Sequence, residues 1–503
     1  MPAQLTTRAQ VNGYRFLLRR LDHALIRRDV RMLHDPMRAQ FRSLIVGAVL
    51  AVLVVAGAAI MAFIRPQGSI GDANIVMGKE SGALYVIVQD ENDENKKTLH
   101  PVLNLASARL IMGSSESPKS VKDNKLNTLP RGPMLGIPGA PAALPGSSQG
   151  DRSEWTLCDT VQLSASGGAM SSPGATTTAI AGRLELTNRM TKAADNAALL
   201  VRSGDKTYLL YDGKRAEVDP ANSVMKRSLV LPDEPPRPIS TGLLGAATEV
   251  PPLMPPVIDR GGEPGPGRLS NIPIGGVIRV SSLDGSDKSD LYVVLADGVQ
   301  QVSEFAARVI RNADSREMNQ IPVLPPDMLD GISTIHSLPV DDFPSEVPTI
   351  IAARDHPVAC INWSKAGGTG VQQADSTEGP ADRSTVTVLT GTRLPLSESS
   401  TPVALATADQ TGDRIDNVYI PPTTGEFVRV TGVEPGSQRR DSLFYVADNG
   451  IRYGVPDLDT AAVLGLGSTP HLAPWAIVGQ LVPGPTLSKQ DALVSRDSLS
   501  TGD

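Results

Sequence analysis

The sequence predicts an α+β protein: a single N-terminal transmembrane helix, then an elongated multidomain exported part in which four small β-hairpin and helix repeats surround a β-rich central domain. Three observations carry this. Ser43 to Ile64 is a run of 22 residues without a charge, bounded by Arg42 and Arg65. Four later stretches share one order: a β-rich run, a turn, a short second strand and a helix containing alanine. The two cysteines, Cys158 and Cys360, lie in further β-rich stretches, each three residues from a tryptophan.

In residues 1–42, nine arginines against three aspartates give +6, which leaves −13 for the rest of a chain of net charge −7. An acidic exterior of that size argues against nucleic acid as a partner. Thr7 and Gln10 form a T-x-x-Q capping box, so a helix should open there and run until Pro36 stops it. Along it Val11, Tyr14, Leu18, Leu21, Leu25 and Met32, with Arg28 among them, recur at alternating spacings of three and four. The pattern predicts an amphipathic cytoplasmic helix with a narrow apolar seam and arginines on its other face. We assign the seam to docking a protein partner; a helix lying on anionic lipid is the alternative.

The charge-free run, residues 43–64, reaches roughly 33 Å as a helix, enough to cross a hydrocarbon core of about 30 Å. It begins too late and runs too long for a cleaved signal peptide, whose apolar core is shorter and nearer the start. The arginines before it place the N-terminus in the cytoplasm and the bulk of the chain outside.

Beyond the span, 41 Pro and 46 Gly with only 4% aromatic residues predict small aliphatic cores, in modules joined by loops. Repeat 1 is placed at 65–129 (GALYVIVQD, then TLHPVLNLASARLIMG) and repeat 2 at 191–232 (LLVRSGDKTYLLYDG, then KRAEVDPANSVMKRSLVL). Repeat 3 is placed at 276–330 (LYVVLADG, then VQQVSEFAARVIRNA), and repeat 4 with a C-terminal segment at 436–503 (LFYVADNG, then IRYGVPDLDTAAVLGLG). Asp212-Gly213, Asp297-Gly298 and Asn449-Gly450 are tight-hairpin signals. Self-similarity on this scale indicates repeated structural units, not four active sites. Residues 130–190 hold a linker and the first part of the central domain, 233–275 a second linker, and 331–435 the rest of the central domain. Pro130 to Pro145 and Pro232 to Arg268 are too rich in Pro and Gly for regular elements and should run extended.

Both cysteines lie beyond the span, where thiols usually pair. W-x-x-C at Trp155 and C-x-x-W at Cys360 are mirrored, as if two strands meet in one core. Two free buried thiols are the alternative. The six histidines are scattered, with no Cys or His pair at metal-ligand spacing. No Walker-type phosphate loop occurs, and the glycine-rich Ala366 to Gly370 leads into a polar run instead of a helix. Gly146, Ser148 and Gly150 match G-x-S-x-G within a loop, with no strand before or helix after. Asp341 and Asp342 read as a solvated turn. No catalytic, cofactor or metal residue is assigned.

TTRAQVNGYRFLLRRLDHAL, SGALYV, PVLNLASARLI, LPRGPMLGIPGAP, WTLCDT, LADGVQ and LAPWAIVGQLVPGPTLSKQDALV together resemble the EccB component of mycobacterial type VII (ESX) secretion systems. The likeness covers nearly the whole chain. It implies a single-pass inner-membrane protein with four periplasmic repeats likened to a phage-lysin fold and a disulfide-bearing central domain. It also implies assembly with EccC, EccD and EccE into a hexameric complex, as EccB dimers, with a mycosin protease nearby. An ATPase attribution travels with the family, and with it ATP as a cofactor, although this chain shows no phosphate cradle. A structural subunit of the export complex is therefore expected. The alternatives are an ATPase component and a peptidoglycan-binding or peptidoglycan-hydrolysing envelope protein.

Overall fold

The computed structural model describes residues 7–28, 36–64, 70–90, 93–164, 174–281, 289–366 and 383–496. The chain divides into two units. The first comprises residues 1–72 with 78–81 and 120–128, the second residues 73–77, 82–119 and 129–503.

In the first unit, the helix Arg8–Arg27 opens as the capping box requires, with the Thr7 N–H donating to Gln10 Oε1 at 3.0 Å. It ends at Arg27, short of the expected stop at Pro36. Arg28 takes a left-handed conformation with φ 53° and caps the helix by donating its N–H to the Ala24 carbonyl. Met32 lies outside the described residues. The second helix is Pro36–Ile64, which starts seven residues before the apolar run. Proline suits the first position because that N–H has no helical partner and its φ is already helical. Among the described residues, Phe41–Met61 is the one stretch long and apolar enough to span a membrane.

The second unit holds the modules. Each runs three antiparallel strands and then a helix, so the expected hairpin lacked one strand. The strands Ile75–Gly78, Leu84–Asp90 and Asp93–Pro101 precede the helix Leu105–Met112. Ala197–Ser203, Lys206–Tyr211 and Lys214–Val218 precede Ser223–Leu229; Val277–Ser281, Ser289–Leu295 and Gly298–Val302 precede Glu304–Ala313. Gly425–Thr431, Leu443–Ala447 and Ile451–Val455 precede Leu458–Leu464. Asn104, Asn222, Ser303 and Asp457 cap the four helices, each side chain accepting a first-turn backbone N–H.

The turns separate the three hairpin signals. Asp212 and Gly213 form a two-residue turn with φ of 45° and 70°, as a hairpin of this length prefers. At the second signal the turn residues are Ala296 and Asp297, and Gly298 is the first residue of the next strand. Glycine is needed there because a Cβ would collide with the Ser333 carbonyl oxygen. At the third, Gly450 alone takes the left-handed conformation, with φ 80°.

The central sheet has seven strands in the order Val403–Ala404, Asn417–Tyr419, Ala175–Ala181, Arg152–Val161, Val358–Ala366, Thr385–Gly391, Met190–Lys192. Its middle pair is antiparallel, with Trp155 opposite Trp363 and Cys158 opposite Cys360. Strand side chains alternate, so a spacing of three puts ring and sulfur on opposite faces. The two pairs therefore do not share one core. The tryptophans enter a core with Leu199 and Leu210 of repeat 2 and Val428 and Val446 of repeat 4. The cysteines enter a smaller one with Ile180, Met190, Val358 and Leu389. Repeats 2 and 3 share a further core (Leu209, Tyr211, Val293, Phe305), as do repeats 1 and 4 (Val86, Leu110, Tyr445, Ala461).

Three boundaries shift. Gly425–Thr431 belongs to the fourth sheet and Thr349–Ile350 pairs with Ala197–Ser203 of the second, so neither is part of the central domain. Met190–Lys192 pairs with the central strand Thr385–Gly391, overlapping the expected start of repeat 2. Pro232 to Arg268 is not merely extended: it contains the strand Arg237–Pro238, the helix Thr241–Gly245 and the strand Thr248–Leu253. The reason is local, since Ser240 caps that helix and Leu243, Leu244, Ala246 and Ala247 are buried in the tryptophan core.

Candidate functional site

Cys158 and Cys360 form a disulfide of 2.08 Å, with Cα atoms 4.0 Å apart and a separation of 202 positions in sequence. Both are buried. The next residue, Asp159, points to the tryptophan side and is the centre of a buried polar network. Its carboxylate accepts the Ser240 N–H at 2.6 Å and the Thr177 hydroxyl at 3.0 Å. Asp416, also buried, accepts the Thr177 N–H at 2.8 Å and the N–H groups of Asp409 and Gln410. Arg237 donates to the carbonyls of His356 at 2.9 Å and Pro357 at 2.8 Å. Burial pushes Asp159 up to about 6, against the hydrogen bonds from Ser240 and Thr177 and the charge of Arg237. Burial likewise lowers Arg237 to about 10.

These groups tie five distant pieces of chain together, and they are built to hold. Among the described residues no group of His, Cys, Asp or Glu could take a metal ion. The Gly146–Gly150 match is a brace: the Gly146 carbonyl accepts the Gly425 N–H, the Ser147 hydroxyl accepts the Gln149 N–H, and Ser148 is exposed. Asp342 is a tether, its carbonyl accepting the Tyr211 hydroxyl and its carboxylate 3.1 Å from Lys214 Nζ. Of the glycine-rich Ala366 to Gly370, only Ala366 is described, as the last residue of its strand. A cleft of ≈ 510 Å³ lies between the central sheet and the Asp212-Gly213 turn; it is lined by charges of both signs, among them Lys192, Asp195 and Lys214.

The seam of the first helix is open to solvent: Val11, Tyr14, Leu18, Leu21 and Leu25 are 41–73% exposed. These five apolar side chains lie in line on one face of the helix.

Residues 3–501 match the family described as type VII secretion system ESX-1, transport TM domain B. The chain belongs to the EccB family. It is 38% identical to the ESX-3 secretion system ATPase EccB3 of Mycolicibacterium smegmatis, over 98% of this chain and 92% of that one. It is 36% identical to the ESX-5 secretion system ATPase EccB5 of Mycobacterium tuberculosis, over 98% and 94%. Among solved structures it resembles a chain of an intact ESX-5 inner membrane complex (TM-score 0.70, 32% identity, 100% of this chain and 98% of that one). It also resembles an EccB3 dimer from the ESX-3 core complex (TM-score 0.68, 33% identity, 84% and 100%).

In this EccB chain the disulfide was readable from the sequence, whereas the Asp159 network was not. Its members sit alone in WTLCDT, PPRPIS and DRIDN, with nothing in the local spacing to link them. Its consequence for EccB stability has a definite sign. The folded pKa of Asp159 is raised from 3.8 to about 6, so its contribution is complete below pH 4 and is lost as pH rises through 6. Two units correspond to about 3 kcal/mol over the whole window. His471, raised by the fully buried Glu426 carboxylate 3.9 Å from its Nδ1, changes stability in the same direction. The melting temperature of the purified chain is expected to be higher at pH 5 than at pH 8, with a flatter profile in Asp159→Asn. Parallel profiles for the two proteins would show that Asp159 does not titrate with folding.

Proposed function

We propose that this chain is a core structural subunit of a type VII secretion inner-membrane complex, anchoring and building its periplasmic assembly for protein export. The observation that carries this reading is the likeness to a chain of the intact ESX-5 inner membrane complex along its whole length. Its partners are EccC, EccD and EccE subunits, a mycosin protease and a second EccB within a hexameric assembly. The seam of the first helix docks the cytoplasmic partners, the span anchors, and the modules form the periplasmic part. Solubilising the membrane mildly and capturing this chain should bring those subunits with it; an isolated monomer that still supports export would count against the role.

The arginine excess before the span supports a single-pass topology with a cytoplasmic N-terminus. A reporter fused after Gly78 is expected to be active only in the periplasm, and one before Arg38 only in the cytoplasm. The opposite pattern overturns the assignment.

The names of the relatives carry an ATPase attribution. A phosphate cradle needs a strand, a glycine-rich turn and a helix N-terminus in succession, and the Walker-type motif that marks one does not occur in this sequence. Residues 66–503 are therefore expected to show no saturable ATP hydrolysis. Turnover that survives repurification and disappears with one substitution in this chain would transfer the function to the ATPase reading.

A further inference from the structure

The helix Arg8–Arg27 has two opposed faces, and the docking seam uses one of them. At 100° per residue, Val11, Tyr14, Leu18, Leu21 and Leu25 fall within an arc of about 80°. Arg8, Arg15, Arg19 and Arg20 spread over an arc of about 140° whose centre lies roughly 150° from that of the seam on the helix wheel, and Phe16 lies among them. All five of these side chains are exposed, Phe16 by 55%. The helix contains one acid, Asp22, so its charge is strongly positive. A protein groove that covers the seam leaves the arginines uncovered.

Where the helix can go is limited by the chain. It ends at Arg27, and the membrane helix begins at Pro36. The eight residue steps from Arg28 to Pro36 reach at most about 28 Å even when fully extended. A helix about 30 Å long on so short a tether stays within reach of lipid headgroups. An exposed aromatic ring among cations suits that layer, where ring bodies sit at headgroup level and guanidinium groups take phosphate oxygens two at a time.

We propose that the arginine face around Phe16 rests on an anionic phospholipid surface, so that the helix is held between the bilayer and the protein docked on its seam. The proposal rests on the docking reading of the seam, but it makes a separate demand: the lipid contact forms without any partner subunit. Each cation near an anionic surface strengthens binding by about fivefold, and the attraction is screened by salt.

The test uses the full chain alone in nanodiscs, of phosphatidylcholine only or of phosphatidylcholine mixed with phosphatidylglycerol, with amide hydrogen exchange followed over residues 8–27. Slower exchange in the anionic discs is expected, reversed by salt. Replacing Arg15, Arg19 and Arg20 together by Gln should weaken the lipid-bound state about a hundredfold, making the two compositions alike. Leu18→Ser with Leu25→Ser should keep the difference. Equal exchange of the parent chain in both compositions, or a difference abolished by the leucine pair and kept by the arginine triple, overturns the proposal. Because no partner is present, neither result bears on whether the seam docks a protein.

Discussion

Cys158→Ser is expected to lower the melting temperature of the oxidised protein by about 10 °C, one of the largest single-residue effects in the chain. The bond joins residues 202 apart. On the chain-entropy account, closing a loop of that length stabilises by roughly 5 kcal/mol through the unfolded state. For a folded unit of this size each kcal/mol moves the midpoint by about 2–4 °C. The bond also joins the two middle strands of the seven-stranded central sheet, which come from opposite sides of repeats 2 and 3 in sequence. Without it the pairing of Arg152–Val161 with Val358–Ala366 must be found by long-range packing alone. The serine adds a second cost, because it sets a hydroxyl among Ile180, Met190, Val358 and Leu389. Reductant should bring the parent protein down to near the variant. Free thiols in protein purified without reductant, or equal midpoints for parent and variant, would remove the disulfide from the stability of this fold.

How far the sequence could be read depended on whether the deciding signal was local. The capping box at Thr7 and the Asp212-Gly213 turn are local, and the structure contains both. The end of the first helix is not local in this sense: the apolar spacing continues past Arg28, whereas the backbone breaks there with φ 53°. Each module has one strand more than the hairpin that its sequence order predicts. In repeat 4 the additional strand, Gly425–Thr431, precedes its hairpin by eleven residues of loop, so proximity in sequence places it with the central domain instead. Pro232 to Arg268 misled through composition: its prolines flank a short, capped, buried helix. The mirrored tryptophan and cysteine motifs did report two neighbouring strands. They do not mark a single core, because a spacing of three places ring and sulfur on opposite faces of the strand. Asp159 and Arg237 left no trace at all, since what makes them a pair is a fold that brings 159, 237 and 356 together. Among the candidate site residues, the disulfide was thus legible, and the network beside it was visible only in three dimensions.

Leu18→Asp combined with Leu25→Asp is expected to abolish assembly and export, with the protein still in the membrane. Both leucines are open in the isolated chain, 46% and 73% exposed, so the change costs the free protein little fold stability. The loss appears on docking. Burying each leucine in a protein groove contributes roughly 1.5–3 kcal/mol, and a carboxylate in its place brings a desolvation penalty as well. Two such sites in line remove the greater part of what a helix face of this length can supply. The arginine face makes the opposite demand on the same helix. Replacing Arg15, Arg19 and Arg20 with Gln takes away about 1 kcal/mol of lipid attraction per cation, yet leaves the seam whole and the span in place. Assembly and export should therefore weaken with the arginine triple and fail with the leucine pair, as measured by subunit recovery from solubilised membrane and by secreted protein. If the triple proves as damaging as the pair, lipid contact and not the seam holds this helix, and the partner-docking role passes to another part of the chain.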